Sequence, residues 1–97
     1  MNTVSLIGTL THEPRLRGER SDWECTLRLA VQRRLPDGSP EPGVVYIEAK
    51  TYGAEAREVA ELHEGDKIGL SGRLDSDHPR DETPGWSGVL IDQLDYL

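Results

Sequence analysis

Two tyrosines and a lysine share one side of a short alternating stretch, residues 44–52. Successive side chains of a strand point to opposite faces, so Tyr46, Lys50 and Tyr52 would lie on one face together with Glu48. Aromatic rings can stack on the bases of a single nucleic-acid strand, and a basic residue between them can hold a phosphate. The pattern therefore indicates a stacking platform, although tyrosines that simply cover a small barrel would give the same alternation.

Basic side chains near this stretch are candidates for phosphate contacts, which supply most of the affinity of non-specific nucleic-acid binding. An arginine pair, Arg33 and Arg34, precedes a proline-rich segment, but the nearby carboxylates of Asp37 and Glu41 could neutralise it. The candidate phosphate contacts are Arg28, Arg33, Arg34, Lys50 and Arg73.

Two tryptophans add further aromatic surface. Trp23 opens an alternating segment, and Trp86 follows a proline and a glycine. Each could pack across one end of a barrel or at a contact between subunits, or it could stack on a base. We include Trp86 with the two tyrosines among the candidate nucleic-acid-binding residues.

The remaining polar residues do not match any catalytic or metal-binding pattern. The acidic segment 75–82 lacks the spacing of a calcium-binding loop, and His63 has no second histidine four residues on. The sequence does not place a nucleophile beside a base, and no glycine-rich phosphate loop opens a helix. We therefore expect no enzyme, and no metal, cofactor or small-molecule substrate.

Hydrophobic alternation predicts the elements that position these side chains. A change to helical spacing predicts a helix from Ala54 to His63, which Gly65 would end. Three prolines and two glycines predict a long hairpin loop over Leu35 to Gly43, and residues 75–85 form a second polar loop. The predicted strands are residues 4–10, 23–32, 44–52, 67–74 and 86–94.

The strand over residues 44–52 should turn its other face to the core. That face carries Val45, Ile47, Ala49 and Thr51, and the alternation also makes Cys25 a small buried residue. The element order β-β-β-α-β-β predicts an all-β fold with one helix. It matches the five-stranded Greek-key OB barrel, with other small β barrels still open, in a single domain over residues 1–97.

Charge is distributed unevenly along the 97 residues, whose formal net charge is -7. Residues 1–50 carry seven basic and seven acidic side chains, so the whole excess of acid lies in residues 51–97. A surface for a polyanion should therefore draw mostly on the first half of the chain. Because so short a domain has a thin core, we expect association with other copies to add stability.

Cysteine usage and hydropathy predict a cytoplasmic location. The single Cys25 cannot form an intramolecular disulfide, which fits a reducing compartment. The sequence has no apolar run long enough to span a membrane and no secretory signal, so we expect no membrane partner.

Five short motifs occur in order along nearly the whole chain. They are Asn2-x-Val4-x-Leu6-Ile7-Gly8-x-Leu10, Pro14-x-Leu16-Arg17, Leu29-Ala30-Val31-x-Arg33-Arg34, Tyr52-Gly53-x-x-Ala56-x-x-Val59-Ala60 and Gly65-Asp66-x-Ile68-x-Leu70-x-Gly72-Arg73-Leu74. Together they resemble the bacterial single-stranded DNA-binding protein family.

The resemblance implies an OB fold that forms a homo-oligomer, a tetramer or a dimer, and binds single-stranded DNA without base-specific readout. Tyr46 and Tyr52 fall where this family commonly carries stacking aromatics. The expected role is to protect or organise single strands in DNA replication, repair or recombination, at the nucleoid in the bacterial cytoplasm.

The chain departs from the family pattern at several acidic positions. Glu48 stands where members tend to have a neutral or basic residue, and Asp75 and Asp77 stand where basic residues are common; Pro79 falls near an aromatic position. The sequence ends at Leu97 without the family's acidic tail, which indicates a short form. Glu48, Asp75 and Asp77 favour an alternative: an OB module of this family or of the primosomal type, with weak nucleic-acid affinity, that acts mainly through protein association.

Overall fold

Six strands and one short helix follow the predicted order, with one strand added. The computed structural model describes residues 2–19, 22–76 and 86–97. The elements are β1 (Val4–Leu10), β2 (Arg15–Arg17), β3 (Glu24–Arg34), β4 (Pro40–Tyr52), α1 (Ala54–Val59), β5 (Lys67–Ser76) and β6 (Ser87–Tyr96). The added strand, β2, has three exposed residues, too few for alternation to reveal it.

The strands form one sheet that closes on itself. Its order is β1-β5-β6-β4-β3-β2, and β1 also pairs with β3 through Thr9 with Ala30 and Leu10 with Leu29. This second pairing closes five strands into a barrel and leaves β2 outside it. All pairs are antiparallel except β4 and β6, which run parallel at Ala49 and Lys50. The predicted OB barrel with one helix is confirmed.

The barrel interior holds the aliphatic side chains that alternate along the strands. The largest fully buried residues are Leu10, Leu27, Leu29, Val59, Ile68, Val89 and Cys25. Helix α1 contributes Val59 and Ala56 to this core. Burial raises the pKa of the Cys25 thiol to about 11, so the thiol stays protonated at neutral pH and serves as a small apolar residue, as predicted.

The hairpin between β3 and β4 corrects the prediction of a loop over Leu35 to Gly43. The turn itself spans only residues 35–39, and Arg34 already pairs with Pro40 across the hairpin. β4 pairs with β6 only at Ala49 and Lys50, so among the described residues the outer part of β4 has a strand partner on one side only. Prolines, which lack an N–H donor, are tolerated on the unpaired side of a strand.

The same extension corrects the orientation expected for Val45, which is 50% exposed rather than part of the core. Ala49 and Thr51 are buried and Ile47 is half-buried, as predicted. The first residues of β4 lie on a hairpin that has left the barrel, so that both of its faces meet solvent.

The helix is shorter than predicted and β5 is longer. α1 ends at Val59, and Ala60 and Glu61 form a turn rather than the helical continuation to His63. β5 continues through Asp75 and Ser76, two residues into the predicted loop. The remainder of that loop, with Asp77 and Pro79, lies outside the described residues. Within residues 2–19, 22–76 and 86–97, no helix has the length and apolarity to cross a membrane.

Candidate nucleic-acid interface

Both tyrosines that the sequence singles out point away from the core. Tyr46 is 60% exposed and Tyr52 is 54% exposed, on the outer face of β4 that also carries Glu48 and Lys50. The two tyrosines are six positions apart in the sequence, which places their rings about 20 Å apart along the strand at roughly 3.3 Å per residue. They can therefore offer two separate stacking positions to one extended strand.

Arg28 stands beside the first ring. Its guanidinium carbon lies 5.7 Å from the centroid of the Tyr46 ring, within cation–π range. The contact follows from strand register, because Ala30 pairs with Tyr46 and Arg28 pairs with Glu48 across β3 and β4. The arrangement joins a stacking surface to a phosphate-binding group.

A groove of about 550 Å³ opens beside Tyr46, between the outer faces of β4, β5 and β6. We call it the tyrosine groove. Its volume lies in the range of sites that hold small organic groups. Glycine is required at Gly88, since a side chain there would collide with the carbonyl oxygen of Glu48. The groove is lined by Arg28, Tyr46, Ile47, Glu48, Leu74, Asp75, Ser87 and Gly88.

Two of the acidic departures line this groove. Glu48 is half-buried, and its carboxylate has no hydrogen-bond or ion-pair partner among the described residues. Asp75 accepts a hydrogen bond from the backbone N–H of Ser76 at 2.8 Å. The groove therefore combines one guanidinium and one aromatic ring with two carboxylates.

Lys50 is held by the protein itself. Its Nζ lies 3.2 Å from Oε1 of Glu24 and 4.5 Å from the ring centroid of Trp86, and its side chain is only 13% exposed. Trp86 is half-buried, and its Nε1 has no hydrogen-bond partner in the described parts of the chain. Lys50 is therefore engaged by Glu24 and Trp86 rather than free to hold a phosphate, and a binding role for Lys50 and Trp86 stays a prediction.

The other three predicted basic residues lie apart from the tyrosine groove or are engaged. Arg33 forms an ion pair with Glu41 at 3.6 Å, the neutralisation that the sequence suggested, and Arg34 donates to the carbonyl oxygen of Gly38 at 3.3 Å. Arg73 pairs with Asp92 at 3.1 Å. It does not line the tyrosine groove, although the next two residues of β5, Leu74 and Asp75, do. Their part in binding stays a prediction.

Sequence reasoning missed two arginines on β2. Arg15 pairs with Thr26 and Arg17 with Glu24, which places both on the outer side of β3 that carries Arg28. Arg15 also lines a small cavity together with Arg28 and Glu48. The alternation Arg-Leu-Arg after a proline was the available signal, but only the pairing with β3 connects it to the tyrosines.

Part of the acidic excess lies on and beside α1. α1 carries Glu55 and Glu58, and Glu61 follows in the next turn. Burial, followed by the nearby Glu58 carboxylate, raises the pKa of Tyr96 in this region. Arg28, which lies beside Tyr46, and Arg15, which lines a small cavity with Arg28, both come from the first half of the chain, as the charge distribution indicates.

Comparisons with known proteins agree with this geometry. The model of the single-strand binding protein family matches residues 1–89. A small single-stranded DNA-binding protein from Streptomyces coelicolor superposes with a TM-score of 0.75 at 16% identity, covering 97% of this chain and 90% of that chain. A deletion variant of the single-stranded DNA binding protein from Thermus aquaticus gives 0.80 at 27% identity, covering 100% of this chain and 50% of that chain. No curated protein sequence matches.

Proposed function

The chain belongs to the single-strand binding protein family and binds single-stranded DNA; we propose that it does so without sequence-specific readout, on the outer face of β3 and β4. The observation that carries this placement is the exposure of the Tyr46 and Tyr52 rings beside Arg28. Each base stacked on an aromatic ring contributes about 1–3 kcal/mol, and every base has a face that can stack. Arg15 and Arg28 supply the cations for the phosphates.

The test is a titration of the purified protein with unstructured oligothymidine, followed by intrinsic fluorescence at low and moderate salt. The proposal predicts saturable binding whose affinity falls with rising salt, because bound phosphates release counterions. Absence of binding at low salt would contradict it. That result would favour the association module, the reading supported by Glu48 and Asp75 in the tyrosine groove.

We also propose that the chain works as a homo-oligomer, a dimer or a tetramer. A cleft of about 980 Å³ opens where β1 and β3 diverge, and we call it the β1 cleft. Ile7 on its wall is 57% exposed, and Val31 and Val44 also line it. Among the described residues, residues 4–8 of β1 pair only with β5, so one edge of β1 has no strand partner there. A second copy of β1 can satisfy this edge and cover the apolar wall.

The biological role follows from the same chemistry. We propose that the protein covers transient single strands during replication, repair or recombination, in the bacterial cytoplasm at the nucleoid. The family is a DNA-binding and non-catalytic one, and we propose no enzymatic activity for this chain. The buried thiol of Cys25 fits a reducing compartment.

A further inference from the structure

Glu48 lies in the tyrosine groove with both carboxylate oxygens free. It is half-buried on β4 between Tyr46 and Lys50, and the described residues do not give it a hydrogen-bond donor. Arg28 is its cross-strand neighbour, yet the two do not form an ion pair within 4.0 Å. A half-buried carboxylate without donors is unfavourable, so a ligand that brings N–H groups to Glu48 is preferred to one that brings oxygens.

The surrounding charges indicate which part of a DNA strand faces Glu48. The carboxylate of Glu48 would repel a phosphate. Arg15 on β2 and Arg28 on β3 would attract it. A strand that places its phosphates along these arginines and one base on Tyr46 turns the edge of that base toward Glu48. In a single strand this edge is unpaired and free to form hydrogen bonds.

We propose that Glu48 gives the tyrosine groove a preference for guanine, an inference that rests on the proposed DNA binding at this face. A carboxylate offers two acceptor oxygens, and the Watson–Crick edge of guanine offers two adjacent donors, N1–H and the N2 amino group. Thymine offers one N–H between two carbonyl oxygens, which the carboxylate repels. Cytosine and adenine each offer one amino group beside a ring nitrogen that accepts. Binding stays tolerant of sequence because only the base at this position is selected.

Asp75 provides a matched control within the same groove. One of its oxygens already accepts the hydrogen bond from Ser76, so it has less capacity for a base. The substitution Asp75→Asn removes a negative charge from the groove as Glu48→Gln does. A difference between the two variants therefore separates base recognition from simple relief of repulsion.

The experiment compares three oligonucleotides of equal length at one fixed salt concentration. The first is oligothymidine, the second carries isolated guanines at regular intervals, and the third carries hypoxanthine, which lacks the N2 amino group, at the same places. The wild-type protein should bind the guanine strand about tenfold more tightly than oligothymidine, with the hypoxanthine strand between them. Glu48→Gln should raise the affinity for oligothymidine and bring the ratio of guanine-strand affinity to oligothymidine affinity near one. Asp75→Asn should keep the wild-type value of this ratio.

Three outcomes contradict the inference. If the wild-type protein binds the guanine strand and oligothymidine with nearly equal affinity, there is no preference for guanine. If Glu48→Gln keeps the wild-type ratio of these two affinities, Glu48 is not the residue that causes the preference. Failure of the wild-type protein to bind any of the three strands at low salt would overturn the proposed function and the inference together. Circular dichroism checks the fold of each variant, and Glu48→Asp, which withdraws the carboxylate by one methylene, supplies a second test if the glutamine variant does not fold.

Discussion

The outer face of β3 and β4 and the β1 cleft are both exposed, but their chemistry differs. The first presents aromatic rings with cations next to them, Tyr46 and Tyr52 with Arg28. The second presents aliphatic side chains such as Ile7 and Val31 beside an edge of β1 that has no strand partner in the part of the chain that the structure describes. Rings and cations suit a ligand with flat bases and phosphates, whereas an aliphatic wall with an open edge suits another protein chain.

The difference shows that exposure alone does not identify a ligand. Aliphatic side chains gain free energy only by leaving water, so the β1 cleft gains from any partner that covers it with apolar surface. Tyrosine carries a polar hydroxyl on its ring and can stay exposed to water, so the outer face of β3 and β4 does not need a permanent partner. We therefore expect permanent occupation of the cleft and reversible occupation of the face, and the variants below separate the two.

The largest effect is expected for Ile7→Asp. A charge at the centre of an apolar interface should weaken association by about 3–5 kcal/mol, because the carboxylate would be buried without a partner. Light scattering should report a smaller mass for the variant than for the wild type. Leu16→Asp is the matched control, since Leu16 is an exposed leucine on β2 away from the cleft. An unchanged mass for Ile7→Asp would place the interface elsewhere.

Removal of the Tyr46 ring should have the next largest effect. Tyr46→Ala should weaken binding of oligothymidine by about 1–3 kcal/mol, because one base loses its stacking surface. Titration by fluorescence measures the change. Tyr96→Ala is the control, since Tyr96 is a half-exposed tyrosine on β6 outside the groove lining. If the folded Tyr46→Ala variant keeps wild-type affinity, Tyr46 is a surface residue only.

Reversal of charge in the tyrosine groove should strengthen binding. Glu48→Lys removes a carboxylate that repels phosphates and adds a cation, so affinity for oligothymidine should rise by about 1 kcal/mol and its salt dependence should become steeper. Titrations at several salt concentrations measure both quantities. Unchanged affinity in the folded variant would show that the strand does not pass over this part of β4.

The smallest effect on DNA affinity is expected for single arginines. The sequence predicts a phosphate contact for Arg73, whereas the structure favours Arg15. Arg15→Ala should weaken binding modestly and reduce the slope of log affinity against log salt by about 0.7, the value for one phosphate of a single strand. Arg73→Ala should leave both unchanged, because Arg73 pairs with Asp92 and does not line the groove. The reverse result would support the role that the sequence assigned to Arg73.

Much of the fold could be predicted because the alternation of apolar and polar residues along a strand shows which of its faces is buried. The alternation in β3 and β4 placed Cys25 and Ala49 inside and Tyr46 and Tyr52 outside. The short β2 and the hairpin that continues through two prolines could not be predicted this way. Both are held by pairing with β3, and a local pattern does not contain its partner strand.

The candidate site was predictable in part for the same reason. Alternation identified the face of β4 that carries Tyr46, Glu48 and Lys50. It could not predict that Glu24 and Trp86 would contact Lys50. It also could not predict that Arg15 would lie next to Arg28. These neighbours come from other strands, more than twenty residues away along the chain in the case of Lys50.

The sequence by itself determined the element types, the inward and outward faces of the strands and the excess of acid in the second half. These depend on periodicity and composition, which are properties of neighbouring residues. Strand pairing decided the rest. It places Glu48 and Asp75 in the same groove and Arg15 of β2 beside Arg28 of β3, and in the described part of the chain it leaves one edge of residues 4–8 without a strand partner. Each of these requires distant strands to be brought together, and only the closed sheet fixes which of them become neighbours.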